Sequence, residues 1–291
     1  MVYGAIEAGG TKFVCAVGNE KGEVLHSIQI KTETPEKTIP VVKAFFEDYE
    51  LKSLGIGSFG PIDIDPKSPT YGSITSTPKQ AWANFPFVDT LKQALGVPIG
   101  FNTDVNAAAL GEATKGAAKG LDSCLYITVG TGIGAGAVVQ GRLLQGLSHP
   151  EMGHIIVRRH PDDPFGGNCF YHKDCLEGLA AGPAIEARWG KSGSELANES
   201  KVWELEAYYL AQGLVQYIMI LSPKKIVLGG GVMKQRQLFP LIHENVKRLI
   251  HSYLTLTEVS DGIADYIVPP ALGDQAGITG ALMLAQLVDS N

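Results

Sequence analysis

Two cysteines and three histidines lie in one short segment, GHIIVRRHPDDPFGGNCFYHKDCLEG, of a chain with only four cysteines. Cys169, His172 and Cys175 follow one another at intervals of three residues. Thiolate and imidazole are typical ligands of tetrahedral Zn²⁺, so the spacing predicts a zinc site that needs a fourth ligand. The nearest candidates are His154 and His160. The alternative is a surface loop with two free thiols and scattered histidines.

Three glycine-rich turns each follow an apolar, strand-like run, at residues 9–12, 130–134 and 229–231. Backbone N–H groups in such turns can point at a phosphate, and the first turn adds the hydroxyl of Thr11 and the charge of Lys12. Two such turns in equivalent places could hold both ends of a triphosphate. None of them is a Walker A or GxGxxG motif. Ordinary hairpin turns are the alternative.

Asp104 lies where a predicted strand meets a predicted helix over residues 103–118. A carboxylate at this place can act as a general base towards a substrate hydroxyl. The alternative is a first-turn acid that only benefits from the helix dipole.

The elements that carry these residues follow one plan twice. Short β-branched runs at 2–8, 13–19 and 24–31 predict an antiparallel meander, and residues 123–146 repeat this order. Two such halves, each with helices, predict an α/β protein with two lobes and a cleft between them. We place the lobes at 1–117 and 118–274, with a last helix, 275–289, that can pack back on the first lobe. One continuous doubly wound sheet is the alternative.

Other segments complete this assignment. Helical spacing predicts helices at 39–49, 87–95, 203–221 and 238–253, and the run IADYIVPPAL predicts a strand.

Charge and hydropathy disfavour several classes of function. The net charge is −6, with mixed signs and no basic tract, which disfavours nucleic-acid binding. The sequence contains no run of about 18 apolar residues, so it does not predict a membrane span. The N-terminal sequence MVYGAIEAGGTK does not have the pattern of a signal peptide, so we expect a cytoplasmic protein.

The order of motifs resembles that of the ROK family of sugar kinases along essentially the whole chain. The motifs are IEAGGTK, GPID, NTDVNAAALGE, TVGTGIGAG, EMGH, CFYHKDCLEG and IVLGGGV. The C-x2-H-x2-C-L-E form is most similar to the bacterial fructokinase branch of that family. The resemblance implies two ribonuclease-H-like lobes of the actin/hexokinase ATPase type, which close over a sugar and ATP with Mg²⁺. It also suggests a homodimer.

The resemblance assigns a role to each motif. It makes Asp104 the general base and selects His154 as the fourth zinc ligand, beside Cys169, His172 and Cys175. The implied phosphate and ATP ligands are Gly9, Gly10, Thr11, Lys12, Thr131, Gly132, Gly134, Pro183, Gly229, Gly230 and Gly231. The implied sugar contacts are Gly60, Pro61, Thr103, Glu151, His154 and Glu177. His154 would then bind zinc with one ring nitrogen and a sugar hydroxyl with the other.

Two residues depart from the family pattern. The family usually has Asp at the position of Glu7, which is associated with magnesium, and the extra methylene moves the carboxylate. Many relatives have Asn at the position of Thr103, so one amide contact to the sugar is missing or replaced.

The predicted reaction is ATP-dependent phosphorylation of a hexose, with D-fructose converted to fructose 6-phosphate. Mannose, glucose and N-acetylhexosamines are alternative substrates. A sugar-sensing transcriptional regulator is the non-enzyme alternative. Such a regulator carries a helix-turn-helix ahead of the kinase body, and here the first glycine turn begins at residue 9.

Overall fold

The computed structural model describes residues 1–289 and contains two five-stranded mixed sheets. The strands of the first sheet are β1 (Val2–Ala8), β2 (Lys12–Gly18), β3 (Val24–Lys31), β4 (Leu51–Ser58) and β5 (Ile99–Thr103). Those of the second are β6 (Cys124–Val129), β7 (Ile133–Val139), β8 (Arg142–Leu143), β9 (Ile226–Gly229) and β10 (Ile267–Val268).

Both sheets have the same topology. The first has the order β3-β2-β1-β4-β5 and the second the order β8-β7-β6-β9-β10. In each, the first three strands form an antiparallel meander, and the last two are added in parallel. The predicted repeat of one plan is therefore confirmed, and a single continuous sheet is excluded.

Nine α-helices connect and cover the described strands. They are α1 (Pro35–Glu47), α2 (Phe87–Leu95), α3 (Asp104–Thr114), α4 (Leu176–Ala180), α5 (Gly182–Trp189), α6 (Ser200–Leu221), α7 (Leu238–Ile250), α8 (Ile263–Tyr266) and α9 (Ala276–Asp289). None of the helices in residues 1–289 is long and apolar enough to span a membrane.

Two helices form the layer between the sheets. On α9, a Cβ added to Gly280 would lie 1.6 Å from the carbonyl oxygen of Ala107 on α3. On β4, a Cβ added to Gly55 would lie 1.9 Å from the carbonyl oxygen of Ala281. The last helix therefore packs on the first sheet and on α3, as the sequence suggested. The exact boundaries of the lobes stay a prediction.

The other face of α3 lies against the second sheet. A Cβ added to Gly136 on β7 would lie 2.2 Å from the carbonyl oxygen of Val105. Because α3 touches both sheets, its first residue, Asp104, lies at the junction of the two lobes.

The prediction of a strand over the segment IADYIVPPAL is wrong for most of its residues. Its first four residues form α8, and only Ile267 and Val268 pair with β9. The side chain of Tyr266 is buried and donates to the carbonyl of Pro223 at 2.8 Å. Pro269 and Pro270 have no N–H to donate, so they end the strand.

Candidate active site

Asp104 is held at the start of α3 by local capping. Thr103 is extended, and its hydroxyl accepts a hydrogen bond from the N–H of Asn106 at 3.1 Å. The Oδ1 atom of Asp104 accepts one from the N–H of Val105 at 2.8 Å. Thr103 itself is buried, so its hydroxyl serves the helix cap in this structure.

The surroundings of Asp104 raise the pKa of its carboxyl group. Desolvation raises its pKa to about 7, and the negative charges of Glu7 and Glu151 also raise it, although the Val105 N–H acts in the opposite direction. A carboxylate with a pKa near neutrality can both accept and release a proton at physiological pH.

A cavity of about 310 Å³ adjoins Asp104. Residues from three predicted motifs line it, namely Lys12 of the first glycine turn, Asp104, and Gly229 and Gly230 of the third turn. The structure therefore brings the candidate base together with two of the candidate phosphate segments. Lining residues that the sequence analysis did not single out include Tyr126, Lys234 and Asp274.

Glu7 lies in the same cavity, next to the start of α9. A Cβ added to Gly277 would lie 2.5 Å from its carboxyl carbon, so the glycine makes room for the longer acid. Burial raises the pKa of Glu7, Lys12 lowers it and Asp274 raises it. Glu7, Asp104 and Asp274 thus present carboxylates to one cavity, and oxygen atoms are the ligands that Mg²⁺ prefers. This donor set fits a nucleotide-bound magnesium ion.

The first glycine turn is a tight hairpin held by the residue that follows β3. The N–H of Gly9 donates to the carbonyl of Lys12 at 2.9 Å, and the hydroxyl of Thr32 donates to the carbonyl of Gly9 at 2.8 Å. The side chains of Thr11 and Lys12 are exposed at its tip. A Cβ added to Gly10 would lie 3.1 Å from Cε of Lys79, so a second cation lies beside this turn.

The second and third glycine turns adjoin each other. The N–H of Gly182, at the start of α5, donates to the carbonyl of Gly130 at 2.7 Å. A Cβ added to Gly130 would lie 3.9 Å from the nitrogen of Gly231. Gly230 has a φ of +92°, which favours glycine. The following residue on α5, Pro183, is exposed, and its contact with the nucleotide stays a prediction.

Gly132 and Gly134 face different neighbours. Gly134 lies within β7, where a Cβ would meet Cγ1 of Val105 at 2.9 Å, so close packing also favours a glycine here. A Cβ on Gly132 would lie 2.6 Å from Oε2 of Glu177. The same oxygen accepts the N–H of Ile133 at 3.0 Å. Glu177 on α4 is thereby tied to the turn that carries Thr131, which is exposed.

A second cavity, of about 330 Å³, contains candidate sugar contacts. Pro61 and Glu151 both line it, together with His149. Gly60 adjoins it, since a Cβ there would lie 3.6 Å from Cε1 of His149. Sequence reasoning missed His149, because a single histidine in a loop has no spacing that distinguishes it.

The four predicted metal ligands come together. One ligand atom each from His154, Cys169, His172 and Cys175 lies within 4.8 Å of the others. The Nδ1 atom of His154 is 3.5 Å from Sγ of Cys175 and 3.7 Å from Sγ of Cys169. Metal–ligand bonds of roughly 2.0–2.3 Å place tetrahedral ligand atoms roughly 3.3–3.8 Å apart. The donor set and its spacing fit a closed zinc site.

His160 does not belong to this cluster. Its Nδ1 atom accepts the N–H of Asp162 at 3.2 Å, and its ring packs against Tyr208 with 4.9 Å between the centroids. Of the two candidates for the fourth ligand, the geometry favours His154. Burial raises the pKa of the Cys175 thiol to about 11, so a thiolate there needs a cation beside it.

Two lobes with the same sheet topology, a helix layer between them and a cavity lined by glycine turns and carboxylates define an ATPase fold of the actin/hexokinase type. The solved structure of a ROK hexokinase from Thermus thermophilus superposes with a TM-score of 0.81, at 29% identity over 99% of this chain and 98% of that one.

The chain belongs to the ROK family, whose model matches residues 3–288. A fructokinase of Pediococcus pentosaceus is 46% identical over the full length of both chains. A Bacillus subtilis protein provisionally assigned as a fructokinase is 62% identical, over 98% of this chain and 95% of its own.

Proposed function

We propose that the protein is an ATP-dependent fructokinase that converts D-fructose to fructose 6-phosphate. The fructokinase relatives support the substrate, since they match along the whole chain. The observation that carries the chemistry is the position of Asp104, whose pKa is raised to about 7 in a cavity shared with Lys12, Gly229 and Gly230.

Asp104 accepts the proton of the 6-hydroxyl as the sugar oxygen attacks the γ-phosphate. The oxygen–phosphorus bond to the sugar forms, the bond to the β-phosphate oxygen breaks, and ADP leaves. Phosphoryl transfer depends mainly on positioning and charge stabilisation. Gly9, Gly10, Thr11, Lys12, Thr131, Gly132 and Gly134 hold the phosphates in this proposal, and Gly229, Gly230, Gly231 and Pro183 lie along the nucleotide.

Magnesium supplies charge neutralisation of the β- and γ-phosphates when it is bound with ATP. Glu7 and Asp274 are the carboxylates that would hold the ion or its water ligands, which leaves Asp104 free to accept the proton. The longer side chain of Glu7, compared with the usual Asp of the family, is accommodated beside Gly277.

The sugar lies between the lobes in this proposal, with Gly60, Pro61 and Thr103 on the first-lobe side and Glu151, His154 and Glu177 on the other. A zinc ion bound to His154, Cys169, His172 and Cys175 would be structural, because four protein ligands leave no open coordination position. These ligands would then fix the segment between His154 and Glu177, so that both side chains keep their places.

We also infer a homodimer, supported by exposed apolar side chains around the metal cluster. Ile156, Phe170 and Tyr171 are exposed, and the carbonyl of Ile156 accepts from Gln216 on α6 at 3.4 Å. Ile220, one turn further along α6, is also exposed. An apolar surface of this kind suits contact with a second copy.

We place the enzyme in the cytoplasm, where ATP is supplied.

A coupled assay of ADP release tests the function. We expect the highest kcat/KM with fructose, compared with mannose, glucose and N-acetylmannosamine. A higher kcat/KM for one of the other sugars would contradict the fructose assignment. No ADP release above the ATPase background with any of the four would contradict the kinase assignment.

A further inference from the structure

His149 touches both lobes. Its Nε2 atom lies 3.1 Å from the backbone nitrogen of Ile62, which follows β4 in the first lobe. Its Nδ1 atom lies 3.4 Å from Oε1 of Glu151. One imidazole ring therefore joins a backbone group of one lobe to a candidate sugar ligand of the other.

The hydrogen bonds determine the tautomer of the ring. The backbone N–H of Ile62 is always a donor, so Nε2 of His149 must be the acceptor. A neutral imidazole then carries its proton on Nδ1. That N–H faces Glu151. An ionised carboxylate can accept hydrogen bonds but cannot donate them, so Nδ1 of His149 is the donor.

The contact between His149 and Ile62 is buried, and the first-lobe segment is held by further hydrogen bonds. His149 is 7% exposed and Ile62 is 2% exposed. The carbonyl of Pro61 accepts from both the N–H of Thr75 at 2.8 Å and its hydroxyl at 3.0 Å. The side chain of Glu151 is 50% exposed, so it is the partner that gains order from the contact.

We propose that His149 is a positioning residue for the sugar. Its Nδ1–H orients Glu151, and its Nε2 holds the segment of Pro61 and Ile62 at a fixed separation from that carboxylate. His149, Pro61, Ile62 and Glu151 all line the cavity of about 330 Å³. The inference rests on the proposed sugar-kinase function and extends it to a residue without a role in that proposal.

Two substitutions of His149 test its contacts with Ile62 and with Glu151 separately. His149→Gln places an amide oxygen near the position of Nε2 and removes the donor to Glu151. His149→Asn keeps an amide N–H near the position of Nδ1 and is too short to reach Ile62. We expect the KM for the sugar to rise about 10- to 100-fold in His149→Gln, the range for losing one hydrogen bond to a charged group. In His149→Asn the KM for the sugar should rise less. The KM for ATP should stay unchanged in both variants.

A double-mutant cycle with Glu151→Gln completes the test. Because His149 acts through Glu151, the combined loss in kcat/KM for the sugar should be clearly smaller than the product of the separate losses. Independent, multiplicative losses would overturn the proposal. So would equal rises in the KM for sugar and for ATP accompanied by a lower melting temperature, which would indicate a purely structural role.

The sugar used is the hexose on which the wild-type enzyme is most active. If the wild-type enzyme is most active on a hexose other than fructose, the substrate assignment changes. The double-mutant cycle, carried out with that hexose, then still tests the role of His149. A wild-type enzyme inactive on every hexose would overturn the kinase function, and the role of His149 with it.

Discussion

The Nε2 atom of His154 lies 4.0 Å from Oε1 of Glu177, while the Nδ1 atom on the same ring faces the two cysteine sulfurs. A metal ion on Nδ1 would keep the proton on Nε2 and fix the direction of the ring. The metal cluster and the proposed sugar site therefore meet in one side chain.

Replacing the two histidines of the cluster should have different effects on the sugar. His154→Gln should lower the zinc content and raise the KM for fructose about 10- to 100-fold, because it also removes a donor near Glu177. His172→Gln, at an exposed ligand, should lower zinc content with a smaller effect on that KM. Normal zinc content and a normal KM for fructose in His154→Gln would contradict the dual role.

Removing a cysteine of the cluster should remove the metal. We expect about one zinc ion per chain in the wild-type protein by elemental analysis, and a large loss in Cys175→Ser together with a lower melting temperature. Cys15→Ala is the matched control, because Cys15 is buried in β2 outside the cluster. Equal zinc content in both variants would show that the metal is bound elsewhere.

Asp104→Asn should reduce kcat about 10²- to 10⁴-fold, since the amide cannot accept the hydroxyl proton. The affinity for ATP, measured by calorimetry, should change little. Asp89→Asn is the control, because Asp89 is also an acid in the first turn of a helix, and it is exposed on α2. If the two variants behaved alike, Asp104 would be only a helix-dipole acid.

The pKa of Asp104 predicts the pH dependence of the reaction. The base must be ionised, so kcat/KM for fructose should rise with pH and level off above about 7. The charge of Glu7 raises the pKa of Asp104. In Glu7→Gln the rising limb of the pH profile of kcat/KM should therefore move to lower pH, whatever the loss in rate. Glu47→Gln, at an exposed acid, should leave the limb in place. A shift to higher pH in Glu7→Gln would contradict this electrostatic account.

A methyl group at Gly132 should disturb Glu177, because the added Cβ would lie 2.6 Å from its Oε2 atom. Gly132→Ala should therefore raise the KM for fructose and lower kcat, roughly tenfold or more if the hydrogen bond from Ile133 is lost. Gly146→Ala is the control, since a Cβ there meets no atom within 4 Å. Kinetics equal to those of the wild type in Gly132→Ala would show that Glu177 does not need this geometry.

The elements that the sequence predicted best have strong local patterns. Alternating apolar residues and glycine turns predicted both meanders, and the spacing of Cys169, His172 and Cys175 predicted their cluster, because loop ligands close in sequence are close in space. The short helix α8 lacked such a pattern. The segment from Ile263 to Tyr266 was predicted as a strand and forms a helix, in which Tyr266 donates to the carbonyl of Pro223. Tertiary contacts of this kind are not visible in a local pattern and can override a propensity for a strand.

The contacts between the lobes could not be read from the sequence. His149 and Ile62 are 87 positions apart, and neither lies in a motif that predicts their contact. Gly134 was predicted to bind phosphate, and its close approach to Val105 adds a packing explanation that only the structure provides. Its role at the phosphates stays a prediction.

The most direct test is a crystal structure with fructose and a non-hydrolysable ATP analogue, in which the distance from the Asp104 carboxylate to the 6-hydroxyl is measured. We predict a hydrogen bond of about 2.6–3.2 Å, with that hydroxyl directed at the γ-phosphate. A sugar hydroxyl that faces the γ-phosphate but contacts a different side chain, with Asp104 out of reach, would contradict the account.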